Sequence, residues 1–144
     1  MTRSRNPRLM FSVIAAERAL RRMIDARSGG FGVGAAGAGV LFAVARTGSA
    51  SAKEIASVIG ASPAGTTGLL TRMEAAGLLR REPDPDDARA IRVTLTETGE
   101  AARAHALTVM DELNPRLGRG FTSDELDVVA RWLDHVRALE RDED

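Results

Sequence analysis

Two helix-start signals and two stops crowd the stretch between Ser51 and Gly77, leaving room there for a pair of short helices and little else. Ser51-Ala-Lys-Glu54 is a capping box, in which the serine and glutamate side chains satisfy each other's otherwise unpaired backbone amides. Gly60-Ala61 then stops the helix near Ile59 with a tight turn. Ser62-Pro63 starts the next one, with serine as the cap and proline where a missing N–H costs nothing. Gly77 ends it near Ala76. Within this second helix Thr66, Leu69, Leu70 and Met73 recur on one face and are expected to point inward. Ala64, Gly65, Thr67, Gly68, Thr71 and Arg72 are left facing outward.

The period then changes. Leu78-Leu79-Arg80-Arg81-Glu82 reads as a short strand, and Pro83-Asp-Pro-Asp-Asp87 as a turn. Ile91, Val93 and Leu95 alternate with Arg92 and Thr94, which completes a hairpin with Arg89 near its tip. Upstream, a helix over about 7–27, opened by Pro7, carries Met10, Val13, Ile14, Leu20, Met23 and Ile24. A glycine-loosened loop, 28–34, leads to a small-residue helix from Ala35 to Ala45. Gly37 and Gly39 inside it suit either close approach of another helix or space for a ligand. Downstream, Thr96-Glu-Thr-Gly99 starts a fifth helix, its end loosened by Pro115 and Gly118 to Gly120. A second capping box, Thr122-Ser-Asp-Glu125, starts the last, which carries Leu126, Val129, Leu133 and Val136 and frays over Glu140 to Asp144. The expected fold is mainly α with a small β-hairpin wing, in a single domain over 1–144. The terminal helices are more apolar than a 144-residue monomer has core to cover, so a two-fold dimer is expected.

Composition narrows the function. Hydrophobic residues, at 44%, support a real core, while aromatics, at 3%, disfavour recognition by base stacking. With no cysteine, disulfides, thiolate metal sites and cysteine nucleophiles are excluded. Net charge is zero but unevenly spread: residues 1–50 hold eight arginines against two acids, and 101–144 hold six basic residues against ten acids. Nucleic-acid binding must therefore use local clusters. No apolar run reaches the ~18 residues of a membrane span, and the basic start, Met1 to Arg8, lacks a secretory core and cleavage site. A cytoplasmic protein with no membrane partner is expected. His105 and His135 sit on different helices, a metal site built from them needs further ligands that the sequence does not identify, and no cofactor is indicated. The acids Glu82, Asp84, Asp86 and Asp87 lack the glycine and distal glutamate of a calcium loop. With no phosphate loop or nucleophile elbow either, an enzyme is not expected.

Residues 49–96 describe a winged helix-turn-helix, a module whose second helix fits the DNA major groove while its hairpin reaches the adjacent minor groove. Here the residues resemble a known family. Glu54-Ile55-Ala56, Ile59-Gly60-Ala61-Ser62-Pro63 and the run from Leu69 to Arg81 are similar to the core of the MarR family of bacterial transcriptional regulators. Asp84-Pro85-Asp86-Asp87-Ala88-Arg89, with Val93-Thr94-Leu95-Thr96-Glu97-Thr98-Gly99, resembles that family's wing signature, Asp-x-Arg followed by Leu-Thr-x-x-Gly. The close match covers about 50 residues; element order and length extend it over nearly the whole chain.

The resemblance implies a homodimer built from the helices at about 7–27 and 97–144, around a DNA-reading part at about 35–96. It implies double-stranded DNA with a pseudo-palindromic operator as partner, and release of a repressor by a small effector, frequently an aromatic acid. It gives Arg89 the minor groove and Asp87 the task of orienting it; without the resemblance the two are simply an exposed ion pair. Ser62 caps the recognition helix and touches phosphate, Arg72 meets phosphate, Thr67 a base edge and Ala64 a thymine methyl. Arg18 is a candidate for the carboxylate of an effector, or else a plain surface arginine. The chain departs from the family at Gly65 and Gly68, where polar or basic residues are common. It departs also at Ala88, which removes a phosphate contact, and at Gly34, which removes a threonine cap and predicts a loose helix start. The two glycines motivate an alternative: a winged-helix adaptor that binds protein and reads no DNA sequence.

Overall fold

The structure, a computed structural model, describes residues 8–142, with the backbone alone at 141 and 142. Pro7 and the basic start before it lie outside the described residues, as do the last two acids. The helices are α1 (Leu9–Asp25), α2 (Ala35–Ala45), α3 (Ala52–Ile59), α4 (Pro63–Ala75), α5 (Glu97–Leu117) and α6 (Ser123–Asp142), and the strands are β1 (Ala50–Ser51), β2 (Leu79–Pro83) and β3 (Ile91–Leu95). The expected order of four helices, a hairpin and two helices is what the chain adopts. α1 is shorter than the expected 7–27, since Ala26 closes it and a short 3-10 turn follows at Gly29–Phe31.

The chain falls into two compact units, Met1–Val109 and Met110–Asp144. The first holds a core of Val40, Leu41, Val44, Ala50, Ile55, Leu70, Met73, Leu78, Leu79, Val93 and Ala102. α2 lies against α3 closely enough that a β-carbon on Gly39 would stand 2.9 Å from Ile59 Cγ2, and one on Gly37 would stand 2.9 Å from Cγ1 of Val33, in the loop that leads into α2. The two glycines therefore serve close packing. α2 does not start loosely: the Asp25 carboxylate, at the end of α1, accepts a hydrogen bond from the Ala35 amide at 3.1 Å. It supplies from a distance the cap that Gly34 lacks, and its charge suits the positive end of the helix.

The hairpin is part of a three-stranded antiparallel sheet, ordered β1-β3-β2, rather than an isolated pair. β1 joins through Ala50 opposite Val93 and Ser51 opposite Arg92. Pro83, expected in the turn, is the last residue of β2, paired with Ile91. Proline is tolerated there because β2 is an edge strand. Along β3 the inward face runs from Leu95 through buried Val93 to exposed Ile91, where the hairpin leaves the core and becomes a wing.

The inward face of α4 has Thr66, Leu70 and Met73 buried and Leu69 partly buried against the core. Thr66 is 1% exposed and its hydroxyl meets no partner among the described residues. A buried, unpaired hydroxyl is destabilising, and valine has the same shape without it. Thr66→Val is expected to raise unfolding free energy by about 1 kcal/mol, as read by urea titration; a loss of stability would mean the hydroxyl has a partner in solution.

In the second unit the capping box forms as expected. The Thr122 amide donates to Glu125 Oε2 at 2.8 Å and the Glu125 amide to Thr122 Oγ1 at 3.2 Å. α6 leaves Leu126, Val129, Leu133, Val136 and Leu139 exposed in the single chain.

Candidate nucleic-acid interface

α3 and α4 meet at Gly60, whose left-handed backbone (φ 65°) makes the tight turn that a side chain would strain. Ser62 then caps α4, its Oγ accepting from the Gly65 amide at 3.1 Å, with Pro63 opening the helix. Ser62, Ala64, Gly65, Thr67, Thr71 and Arg72 are all exposed, and Gly68 partly so. The Thr67 hydroxyl donates to the Pro63 carbonyl at 3.0 Å, so its oxygen lone pairs and methyl group remain for an outside partner. Arg72 folds back along the helix: Nη1 is 3.5 Å from where a Gly68 β-carbon would stand, an ordinary contact. The helix thus presents a smooth surface with one guanidinium lying along it.

The wing tip is built by aspartates. The Asp86 amide donates to Asp84 Oδ1 at 2.8 Å, and the Arg89 amide to Asp87 Oδ1 at 3.0 Å. Such side-chain-to-backbone bonds are why aspartate favours turns. Asp87 therefore holds Arg89 by its backbone. Among the described residues the Arg89 guanidinium makes no ion pair with Asp87 or any other acid, and it is exposed. Ala88 is exposed beside it.

Sequence reasoning missed two arginine clusters below this surface. Arg81 of β2 donates to Glu74 of α4 from its amide (2.8 Å), Nη2 (3.1 Å) and Nε (3.3 Å), and from Nη1 to Thr71 Oγ1 (3.1 Å). This locks α4 to the first strand of the wing. Arg92 of β3 donates from Nη2 to the Ser49 carbonyl (3.1 Å) and Oγ (2.7 Å), and lies 3.6 Å from Glu54 and 3.8 Å from Asp84. Neither cluster has a local spacing signal, because each joins residues from separate elements.

The Arg81 amide and side chain hold the Glu74 carboxyl below its ordinary value. The Ser51 amide does the same for Glu54, aided by the Ser51 side chain and by the charges of Arg92 and Arg46. A carboxyl more acidic folded than unfolded adds stability above its unfolded value and loses it as pH falls through the folded one. The melting temperature is expected to drop on acidification below the ordinary 4.5 of both groups, and the drop is expected to be shallower in Glu74→Gln. An identical acid limb in the two proteins would contradict this.

Arg18 is exposed on α1 and has no ion pair among the described residues. His105 Nε2 is 2.7 Å from the Arg27 carbonyl oxygen, which can only accept, so that nitrogen carries the proton. Its ring leans on Phe31 with centroids 5.8 Å apart. His135 is exposed on α6. Among the described residues no three histidines or acids gather to hold a metal ion, and no helix is long and apolar enough to cross a membrane.

Residues 31–90 match the family model described as MarR family. The chain is similar to the homoprotocatechuate degradative operon repressor of Escherichia coli, 34% identical over 73 residues, which are 51% of this chain and 49% of that protein. The chain thus matches about half the length of this curated relative. Among solved structures, a MarR mutant from E. coli complexed with operator DNA is similar at a TM-score of 0.81 and 22% identity, over 90% of this chain and 94% of that one. BpsR of Bordetella bronchiseptica, whose DNA binding is regulated by 6-hydroxynicotinic acid, is similar at a TM-score of 0.68 and 22% identity, over 88% of this chain and 98% of that one.

Proposed function

We propose that the chain is a member of the MarR family and acts as a dimeric, cytoplasmic transcriptional repressor. It reads double-stranded DNA by sequence and lets go on binding a small effector. The observation that carries this reading is the pairing of two exposed features: a capped, smooth α4 and a wing tip holding a guanidinium that, among the described residues, has no acid on it. A helix N-terminus offers amides to phosphate, and a bare arginine suits the minor groove's negative potential. A protein of this kind works by binding, and no catalytic role is proposed for it.

In this reading Ser62 and Arg72 meet phosphate, Arg89 enters the minor groove and Asp87 holds its backbone. Thr67 offers an acceptor and a methyl to base edges, while Ala64 and Gly65 let the groove approach α4 closely. Dimerisation covers the apolar faces left open by the terminal helices, so that 1–144 works as one domain. The relative named above is a repressor and BpsR is regulated by 6-hydroxynicotinic acid. A small aromatic carboxylic acid is accordingly the effector class proposed, with Arg18 as the cation for its carboxylate.

Selection from a random duplex library tests this. The expected result is a two-fold-related motif with half-sites about one helical turn apart. A folded dimer, refolded to remove carried-over ligand, that enriches no motif would overturn the reading in favour of an adaptor.

A further inference from the structure

A path of polar contacts runs from the start of α3 to the tip of the wing, and Arg92 stands in the middle of it. At one end the Ser51 capping box holds Glu54, whose Oε2 accepts from the Ser51 amide at 2.7 Å and lies 3.6 Å from Arg92 Nη1. Nη2 of the same guanidinium donates to both oxygens of Ser49, just before β1. On the other side Arg92 Nε lies 3.8 Å from Asp84 Oδ2. The second oxygen of Asp84 accepts from the Asp86 amide, which starts the turn carrying Arg89. Asp84 and Arg92 are both partly buried, unlike the acids at the tip. β3 supplies no other charged side chain to this path.

We propose that Arg92 is a positioning residue that fixes the attitude of the wing against α3, and through it the place where Arg89 meets DNA. This rests on the DNA-reading function proposed above. The geometry explains why a guanidinium is used. Three groups on three segments surround it: a carbonyl and hydroxyl at Ser49, and one carboxylate on each side. A planar fork with five donors can face all of them at once, whereas an ammonium on a flexible stem cannot hold that spread. Without it the hairpin beyond Val93 keeps its own ladder and the backbone pairing of Arg92 with Ser51 of β1. Ile91 is exposed there and packs against no core that would hold the wing still.

The test combines a free-protein measurement with a binding cycle. In the free dimer, hydrogen exchange of the amides over 84–90 is expected to speed up in Arg92→Ala and, less, in Arg92→Lys, while the amides of α2 stay as protected as before. The binding probe is the duplex that the wild-type protein enriches from a random library. Arg92→Ala is expected to weaken binding about tenfold, and to have little further effect when Arg89 is already alanine. Equal weakening in both backgrounds would mean Arg92 does not act through Arg89, and would overturn the proposal. Unchanged exchange over 84–90 would overturn it whatever the binding does. Faster exchange with wild-type affinity would overturn it while leaving the DNA-reading function intact. If the wild-type protein enriches no duplex, the function and this proposal fall together. Should Arg92→Ala not fold, Asp84→Asn removes the charge facing Arg92 while keeping an oxygen for the Asp86 amide, and is held to the same outcomes.

Discussion

Arg89→Ala is expected to weaken binding to the wild-type-selected duplex by about ten- to a hundredfold and to lower the slope of log affinity against log salt by roughly one. The fold is expected to be indifferent to the change. Arg89 is exposed, its amide and not its guanidinium is held by Asp87, and no ion pair among the described residues is lost with it. A surface substitution of that kind changes stability by no more than about 0.5 kcal/mol. Loss of affinity with an unchanged melting temperature therefore reports the wing's contact with DNA. Arg89→Lys separates charge from shape: it is expected to keep the salt slope and recover only part of the affinity, since the minor groove favours a flat, weakly hydrated guanidinium. If Arg89→Ala matches the wild type in affinity and slope, the wing does not bind DNA. Asp87→Asn is a milder companion, because asparagine still offers an oxygen to the Arg89 amide.

What could be read in the sequence was local. Ser51 with Glu54, Ser62 with Pro63, and Thr122 with Glu125 are each complete within a turn of helix, and each helix starts where its cap says. The alternation of Ile91, Val93 and Leu95 likewise announces β3. What could not be read joins residues distant along the chain. Two-residue β1 is too short to show a period and exists because Ala50 and Ser51 lie opposite Val93 and Arg92. Asp25 caps α2 across a loop, so the missing threonine at Gly34 suggested a looseness that is not there. Of the candidate interface, Ser62, Arg72, Asp87 and Arg89 are proposed from their places in a pattern. Glu74 with Arg81, and Arg92 with its three partners, belong to no local pattern.

The junction between wing and α5 explains why the run Leu95-Thr96-Glu97-Thr98-Gly99 ends in glycine, and carries the largest stability effect. Thr96 is bonded three ways: its amide donates to the Leu78 carbonyl at 3.2 Å, its hydroxyl to the Gly77 carbonyl at 2.5 Å, and its Oγ1 accepts from the Gly99 amide at 3.0 Å. These bonds pull the first turn of α5 down onto the chain just before β2. Gly99 is buried there, and a β-carbon on it would fall onto the Leu78 carbonyl oxygen, well inside contact distance, with Leu95 Cβ at 3.3 Å on its other side. Neither neighbour can swing away. One is backbone already engaged with Thr96, and the other is the root of a strand residue. Alanine normally gains about 1 kcal/mol over glycine inside a helix. Here that gain is set against overpacking onto backbone and loss of the Thr96 bond, so Gly99→Ala is expected to destabilise by about 3 kcal/mol or more. Against a total of roughly 5–15 kcal/mol this is a large fraction. Gly68→Ala is the matched control. Its β-carbon meets only the end of Arg72 at 3.5 Å, and it is expected to stabilise by up to about 1 kcal/mol. Urea unfolding of the two variants beside the wild type decides the matter. Opposite shifts of the midpoint support the junction as drawn. If Gly99→Ala unfolds at the wild-type concentration, α5 does not rest on Leu78.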